Sequence, residues 1–375
     1  FVEIEKRDQA PMAIHFHSLA VKRVTPDAAG SAAITFNVPA ALATTFDFRP
    51  GQFLTLRAFI DGQETRRSYS ICSPHQRYTQ AQEIDVGIKP VEGGSFSRWA
   101  LSALAPGHAV EVMPPDGRFT PRVNGARHRV GFAAGSGITP LLSIIETTLA
   151  ADPAASFTLV YGNQRVDSIM FNERLQDLKD RYPARLTLIH LLSRQSQDVP
   201  LLQGRLDEAK VSQLLRTLVP ADGIDEAFIC GPEGMIEATQ RALLAAGVAP
   251  LRIHSERFLV AGSAVAVPRT ARPAEAVRPD QKADVQLQVV LDGKTHSMGM
   301  AHSDRVLDAA LEAGLDLPYS CRGGVCCTCR ARVLEGEVEM EKNFTLEPWE
   351  IAKGFVLTCQ ARPLSDRVVV SYDER

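Results

Sequence analysis

At 375 residues the chain exceeds what one ordinary hydrophobic core holds together, so about two or three domains are expected. Its 45% hydrophobic and 23% charged residues, with a formal net charge of −3, give no electrostatic footing for nucleic-acid or membrane-surface binding. No apolar run approaches a membrane span and no signal-peptide pattern opens the chain; seven cysteines, four of them in one motif, argue against a disulfide framework and for a reducing cytoplasm.

Residues 1–11 precede Met12 and read as an upstream extension or tag, with the natural start at Met12. From His17 to about Met113 short alternating segments dominate. Gln52 to Arg57 follows a Pro50-Gly51 turn, and Asp61-Gly62 joins Phe59-Ile60 to the next strand as a hairpin. Glu83 to Ile88 and Ala109 to Met113 read as further strands and Phe96 to Leu104 as a short helix. Many short strands at this spacing predict a small antiparallel β-barrel over residues 12–122.

Two stretches of that barrel carry chemistry. Arg66-Arg67-Ser68-Tyr69-Ser70 lies on a strand, where alternation puts Arg67 and Tyr69 on one face and Ser68 and Ser70 on the other. A guanidinium can clamp a phosphate, and a tyrosine ring can cover a planar heterocycle. Gly93-Gly94-Ser95-Phe96-Ser97 is a glycine turn opening a helix, where free N–H groups and the dipole attract phosphate; the plain alternative is a surface helix capped by Ser95 or Ser97. Arg-x-Tyr-Ser followed by Gly-x-x-Ser (Gly94 to Ser97) resembles the flavin-binding domain of the ferredoxin–NADP reductase family. The resemblance implies that Arg67 and the helix-opening Gly94, Ser95, Phe96 and Ser97 hold the flavin pyrophosphate. It also implies that Tyr69 lies against the isoalloxazine ring, and Ser68 and Ser70 are further candidate cofactor-binding residues. It favours FAD over FMN, which a related group of dioxygenase reductases carries.

After about Pro121 the rhythm changes. Strands at Arg129–Ala134, Phe157–Tyr161, Leu186–Leu192 and Ala227–Cys230 alternate with helices at Leu141–Leu149, Phe171–Arg181, Glu208–Leu218 and Met235–Ala246. That alternation predicts a parallel α/β sheet with helices on both faces over residues 123–258, binding its ligand at the carboxyl ends of the strands. Gly135-Ser136-Gly137-Ile138-Thr139-Pro140 sits at such an end, where Gly135 and Gly137 let a pyrophosphate approach backbone N–H groups. Gly-x-Gly-x-x-Pro is similar to the reductase family's own version of the motif, and Cys230-Gly231-Pro232-Glu233-Gly234-Met235 to its second one. The resemblance implies that Gly231, Pro232 and Met235 line the nicotinamide site, that Cys230 walls the hydride-transfer site, and that Thr139 and Pro140 lie near the flavin–nicotinamide contact. With Tyr69, Thr139 and Cys230 are thus the candidate catalytic residues. After the second strand Arg165 offers a cation and no acid precedes Asp167, a pattern that favours NADPH over NADH; a solvated loop arginine is the plain alternative. Phe258 closes the domain and either covers the flavin or fills the core.

Residues 259–283, with Val267-Pro268, Arg272-Pro273 and Arg278-Pro279, read as a linker. Residues 284–375 follow as a third domain: strand Val285–Leu291, a turn at Asp292-Gly293, helix Arg305–Ala313 and strand Ala331–Leu334. Between helix and strand stands Cys321-Arg322-Gly323-Gly324-Val325-Cys326-Cys327-Thr328-Cys329, with Cys359 thirty positions later. Cys-x4-Cys-x2-Cys with a distant fourth cysteine is the plant-type [2Fe–2S] spacing. Zinc is the alternative, but structural zinc sites usually pair two separate knuckles. Cys321, Cys326, Cys329 and Cys359 are therefore the candidate cluster ligands, and Cys327 a packed bystander or alternate ligand. The domain resembles a plant-type ferredoxin of α+β, β-grasp type.

Pyridine nucleotides release two electrons together and a [2Fe–2S] cluster accepts one, so a flavin must lie between them. The order of parts predicts an oxidoreductase passing electrons from NADPH through FAD to [2Fe–2S] and on to another protein. Arg66 to Ser73, Ser168-Ile169-Met170-Phe171 and Cys359 to Asp366 resemble the reductase subunits serving di-iron oxygenases of aerobic phenylacetate degradation. That implies the oxygenase component of a multicomponent monooxygenase as partner. Reductases for steroid hydroxylases, aromatic dioxygenases and the hybrid-cluster protein share these modules. A non-catalytic redox sensor would carry an effector or nucleic-acid segment, and none is visible.

Overall fold

A computed structural model of the chain describes residues 15–258 and 284–374. The expected extension at 1–11 and the linker at 259–283 lie outside the described residues. These divide into two compact units, one running from Phe16 through 258 and one from 284 through 374.

The first unit opens with β1 (His17–Pro26), β2 (Ala32–Asn37), β3 (Phe53–Ile60), β4 (Gln63–Ser70), α1 (His75–Ala81), β5 (Glu83–Ile88), α2 (Ser95–Ala103) and β6 (Ala109–Val112). The strands form one antiparallel sheet in the order β4-β3-β6-β1-β2-β5. An antiparallel bridge between Ile71 and Val86 joins its two edges, which makes it the expected barrel. Asp61 and Gly62 at the β3–β4 turn have φ of 51° and 74°, the left-handed pair that a two-residue hairpin requires. Leu19, Ile34, Phe36, Leu54, Leu56 and Val86 fill the interior. β5 is buried along its whole length although it carries Glu83 and Asp85, because Lys22 and Arg77 pair with the first and Arg77 with the second.

The same unit continues with β7 (His128–Ala134), α3 (Ile138–Ala151), β8 (Ser156–Asn163), α4 (Asn172–Arg181), β9 (Leu186–Leu192), α5 (Glu208–Thr217), β10 (Glu226–Gly231), α6 (Glu233–Ala245) and β11 (Ile253–Arg257). All five strands are parallel, in the order β11-β10-β7-β8-β9. Phe157, Leu159 and Tyr161 point to one face of the sheet, with Leu141, Ile144 and Leu175. Val130, Phe132 and Val160 point to the other, with Leu214, Ile236 and Leu243. α3 begins three residues earlier than its apolar run suggests. Pro140 does not stop it, because the first turn of a helix needs no N–H partner there.

The second unit comprises β12 (Val285–Leu291), β13 (Lys294–Met300), α7 (Val306–Glu312), β14 (Arg330–Glu335), β15 (Val338–Met340), α8 (Pro348–Ala352), β16 (Phe355–Leu357), β17 (Ala361–Pro363) and β18 (Arg367–Ser371). Its main sheet runs β13-β12-β18-β14-β16, with β12 and β18 parallel. Leu307, Ala310 and Leu311 of α7 pack into its core, which is the β-grasp arrangement expected. Among the described residues no helix is long and apolar enough to cross a membrane.

Candidate functional site

β4 and α2 bring the first two motifs together. The Tyr69 ring lies 5.7 Å, centroid to centroid, from Phe96, which in turn meets Trp99 edge-on at 5.2 Å. Arg67 stands exposed on β4 with Nη1 donating to the Arg66 carbonyl at 2.7 Å. Ser68 shares a hydrogen bond with Thr55 at 3.0 Å on the opposite face. No side chain caps α2: its N-cap is Gly94, and neither Ser95 nor Ser97 bonds back to the first turn. Ser97 Oγ instead accepts the Val91 N–H at 3.1 Å, closing the glycine turn. The first N–H groups of α2 are thus left without a side-chain cap beside Arg67 and Tyr69, a donor set that fits a diphosphate joined to a planar ring.

The two dinucleotide motifs meet at the carboxyl end of the parallel sheet. A Cβ on Gly137 would stand 2.0 Å from the Cys230 carbonyl oxygen, an approach only glycine permits, and one on Gly231 would stand 2.7 Å from Met235 Cε, displacing the end of that side chain. Gly135, at φ 54°, accepts at its carbonyl the Tyr161 hydroxyl, 2.8 Å away. Thr139 donates to the Ser136 carbonyl at 3.0 Å. Pro140 is buried in the first turn of α3, Pro232 precedes α6 as its N-cap, and no side chain caps α3. The Cys230 thiol is fully buried, and burial, with Glu256 nearby, pushes it well above its ordinary value. Phe258 packs, half-buried, against the core cluster that contains Cys230.

Three neighbours of this site carry no motif. Glu256 lies opposite Cys230 in the β10–β11 register and accepts the Ser70 hydroxyl at 2.9 Å. Burial raises its carboxyl from 4.5 to about 7, against the opposing Ser70 hydrogen bond. Lys89 Nζ lies 3.6 Å from where a Cβ would sit on Gly135, bringing a cation to that glycine turn. Arg194, exposed, is tied to the Arg165 loop by its N–H donating to the Gln164 carbonyl at 2.9 Å. Arg165 itself reaches Asp167 at 3.4 Å, so part of its charge is already answered within its own loop.

In the second unit the four candidate ligands converge. Cys321 lies within hydrogen-bonding reach of Cys326 and Cys359, and Cys359 of Cys329. Backbone N–H groups point at the sulfurs: Cys321 N–H at Cys326 Sγ, 3.5 Å, and Gly323 N–H at Cys321 Sγ, 3.3 Å. Gly324 takes φ 79° and abuts the Lys342 carbonyl, which a Cβ would meet at 3.0 Å. Cys326, Cys321, Cys359 and Cys329 thus form one run of neighbouring thiols, a donor set that fits a [2Fe–2S] centre. Cys327, at φ 62°, packs into the core of this unit.

Comparison with known proteins agrees with these three regions. Residues 20–120 match the oxidoreductase FAD-binding domain family, 132–241 the oxidoreductase NAD-binding domain family and 289–364 the 2Fe-2S iron-sulfur cluster binding domain family. The chain is 45% identical over 363 residues to a 1,2-phenylacetyl-CoA epoxidase subunit from Escherichia coli (strain K12), covering 96% of this chain and 98% of that one. It is 35% identical to the ferredoxin reductase component of 3-ketosteroid-9-alpha-monooxygenase from Rhodococcus rhodochrous, covering 94% and 96%. In fold it is similar to phthalate dioxygenase reductase, with a TM-score of 0.56 at 20% identity over 95% of this chain and 98% of that one.

Proposed function

This chain belongs to the ferredoxin–NADP reductase family, in the branch that ends in a plant-type [2Fe–2S] domain, and from that membership we propose which partner it serves and which residues do the work. It is an NAD(P)H-dependent flavin iron–sulfur oxidoreductase, with FAD, a pyridine nucleotide and a [2Fe–2S] cluster as cofactors. The flavin, when bound, supplies the conversion between paired electrons from the nucleotide and single electrons for the cluster.

In the proposed assignment Arg67 and the open N-terminus of α2 hold the flavin diphosphate, and Tyr69, backed by Phe96, lies on the ring. Gly135, Gly137 and Lys89 receive the nucleotide diphosphate. Gly231, Pro232 and Met235 line the nicotinamide, which Thr139 and Cys230 hold against the flavin. Ser70 and Glu256 close this site. With its carboxyl raised to about 7, Glu256 is about half protonated at neutral pH and accepts the Ser70 hydroxyl, a group able to hold or release a proton at Oε within the site. Arg165 and Arg194 together offer a 2′-phosphate two cations, which supports NADPH over NADH. Cys321, Cys326, Cys329 and Cys359 hold the cluster, with Cys327 a bystander. The proposed domains are 12–122, 123–258 and 284–375, joined by a linker at 259–283.

The proposed partner is a di-iron oxygenase acting on phenylacetyl-CoA, within the cytoplasm. Near full-length similarity to the epoxidase component from Escherichia coli carries this reading. A second, service to a steroid hydroxylase, rests on the weaker likeness to the ketosteroid monooxygenase component. Reconstitution decides between them. With NADPH, the chain should drive oxygenation of phenylacetyl-CoA by the cognate oxygenase subunits; support of a ketosteroid oxygenase alone would contradict the assignment.

A further inference from the structure

Gly87 occupies the interior of β5, a buried strand, and its φ is outside the left-handed range. Its backbone conformation is therefore open to any residue, and a glycine there weakens the strand. The reason for it lies across the seam between barrel and parallel sheet. A Cβ on Gly87 would stand 2.4 Å from Thr139 Cγ2 and 3.2 Å and 3.3 Å from Cζ and Cε2 of Phe171. Thr139 cannot readily turn its methyl away, because its hydroxyl is engaged with the Ser136 carbonyl.

The same face of β5 carries a second tie two residues earlier. Asp85, 2% exposed, pairs with Arg77 of α1 and lies 4.0 Å from Arg174 Nη1 of α4. Arg174 also donates Nη2 to Glu146 of α3 at 3.0 Å. Phe171 is pinned from the barrel side as well: its N–H donates to Asp27 Oδ2 at 2.9 Å. The start of α3 thus packs against β5 at Thr139, and Arg174 links β5 to the middle of the same helix at Glu146. Any shift of Thr139 moves Gly137, which abuts the Cys230 carbonyl.

We propose that Gly87, assisted by Asp85, is a positioning residue for hydride transfer: the missing Cβ sets how closely the Thr139 turn seats against the flavin barrel. The inference rests on the assignment of Thr139 and Cys230 to the nicotinamide site. A displacement of about 1 Å at a reacting centre can cost on the order of 100-fold in rate.

The test is a double-mutant cycle in the full-length, flavin-loaded protein, comparing G87A, T139S, T139V, G87A/T139S and G87A/T139V. Two quantities are read: the anaerobic rate of flavin bleaching against NADPH concentration, and the thermal unfolding midpoint without nucleotide. G87A should slow the limiting rate by at least about tenfold and lower the midpoint, with half-saturation by NADPH moving less than about twofold. Serine in place of Thr139 lacks the methyl, so G87A/T139S should return both quantities to those of T139S alone. Valine keeps a methyl, so G87A/T139V should show no rescue. Wild-type rate and midpoint in G87A, or equal effects of G87A on the serine and valine backgrounds, would overturn the proposal. A coupled midpoint with an unaffected rate would overturn the positioning role and leave only a packing contact. A wild-type flavin that neither NADPH nor NADH bleaches would instead overturn the hydride assignment on which the inference stands.

Discussion

Two glutamates on neighbouring strands of the parallel sheet meet opposite fates. Glu226 opens β10 at the amino end and is fully buried. Burial alone would raise its carboxyl, but His254, the Arg122 N–H, Arg129 and the Val123 N–H together hold it at about 2. Glu256 ends β11 at the carboxyl end with Ser70 as its hydrogen-bond donor, and sits at about 7. One end of the sheet is saturated with donors and locked. The other leaves a carboxyl near neutrality beside the nucleotide motifs, in the range where general acids and bases work. On the proposed assignment, the difference separates an end of the sheet that serves stability from one that serves chemistry.

The sharpest way to break the comparison is Glu226→Ala. It leaves Arg129 and His254 buried without their carboxylate, so unfolding in urea should show a loss of about 3–5 kcal/mol. NADPH–ferricyanide turnover per folded molecule should stay within about twofold of wild type. A large loss of turnover with little loss of stability would reverse the roles given to the two ends.

Opposite pH signatures follow next. Glu226 is depressed below its unfolded value, so its contribution is present above pH 4.5 and lost as the pH falls towards 2. Glu256 is raised, so its contribution is present below pH 4.5 and lost as the pH rises through about 7. Displacements of that size correspond to about 3 kcal/mol each. Unfolding measured from pH 4 to 8 should show Glu256→Gln gaining stability over wild type only towards the alkaline end. Parallel curves for the two proteins would contradict this.

Glu256→Gln keeps the Ser70 partner but cannot release a proton. Flavin reduction should slow by about 10- to 100-fold and lose its dependence on pH near 7. An unchanged pH profile would remove Glu256 from the site.

How far the site was legible in the sequence follows from the same contrast. Gly135, Gly137, Gly231, Gly324 and the four cysteines stand in short motifs because one local turn must bend sharply or converge on one centre. All but Cys359, thirty positions beyond Cys329, are recognisable from a few neighbouring residues. Glu256 meets Ser70 across 186 positions. Lys89, Arg194 and Gly87 likewise meet their neighbours through strand register and the seam between layers, which periodicity does not carry. The barrel strands β1 and β2 escaped for a related reason: β1 mixes charged and apolar residues and β2 is a short buried run, and they gain their place only once β6 and β5 pair with them.

The smallest effect concerns the nucleotide's far end. Arg194→Ala should raise the KM for NADPH about tenfold while leaving that for NADH within about twofold, the loss of one charge-assisted contact. Equal changes for both nucleotides would place Arg194 outside the 2′-phosphate site.

The central claim is that electrons from NADPH pass through the flavin to a cluster held by Cys321, Cys326, Cys329 and Cys359. Its most direct test is an anaerobic visible spectrum of the purified protein, recorded before and after NADPH is added. Flavin bands and broad iron–sulfur absorption should both be present and both bleach. Bleaching of the flavin alone, or a colourless protein carrying zinc, would contradict the claim.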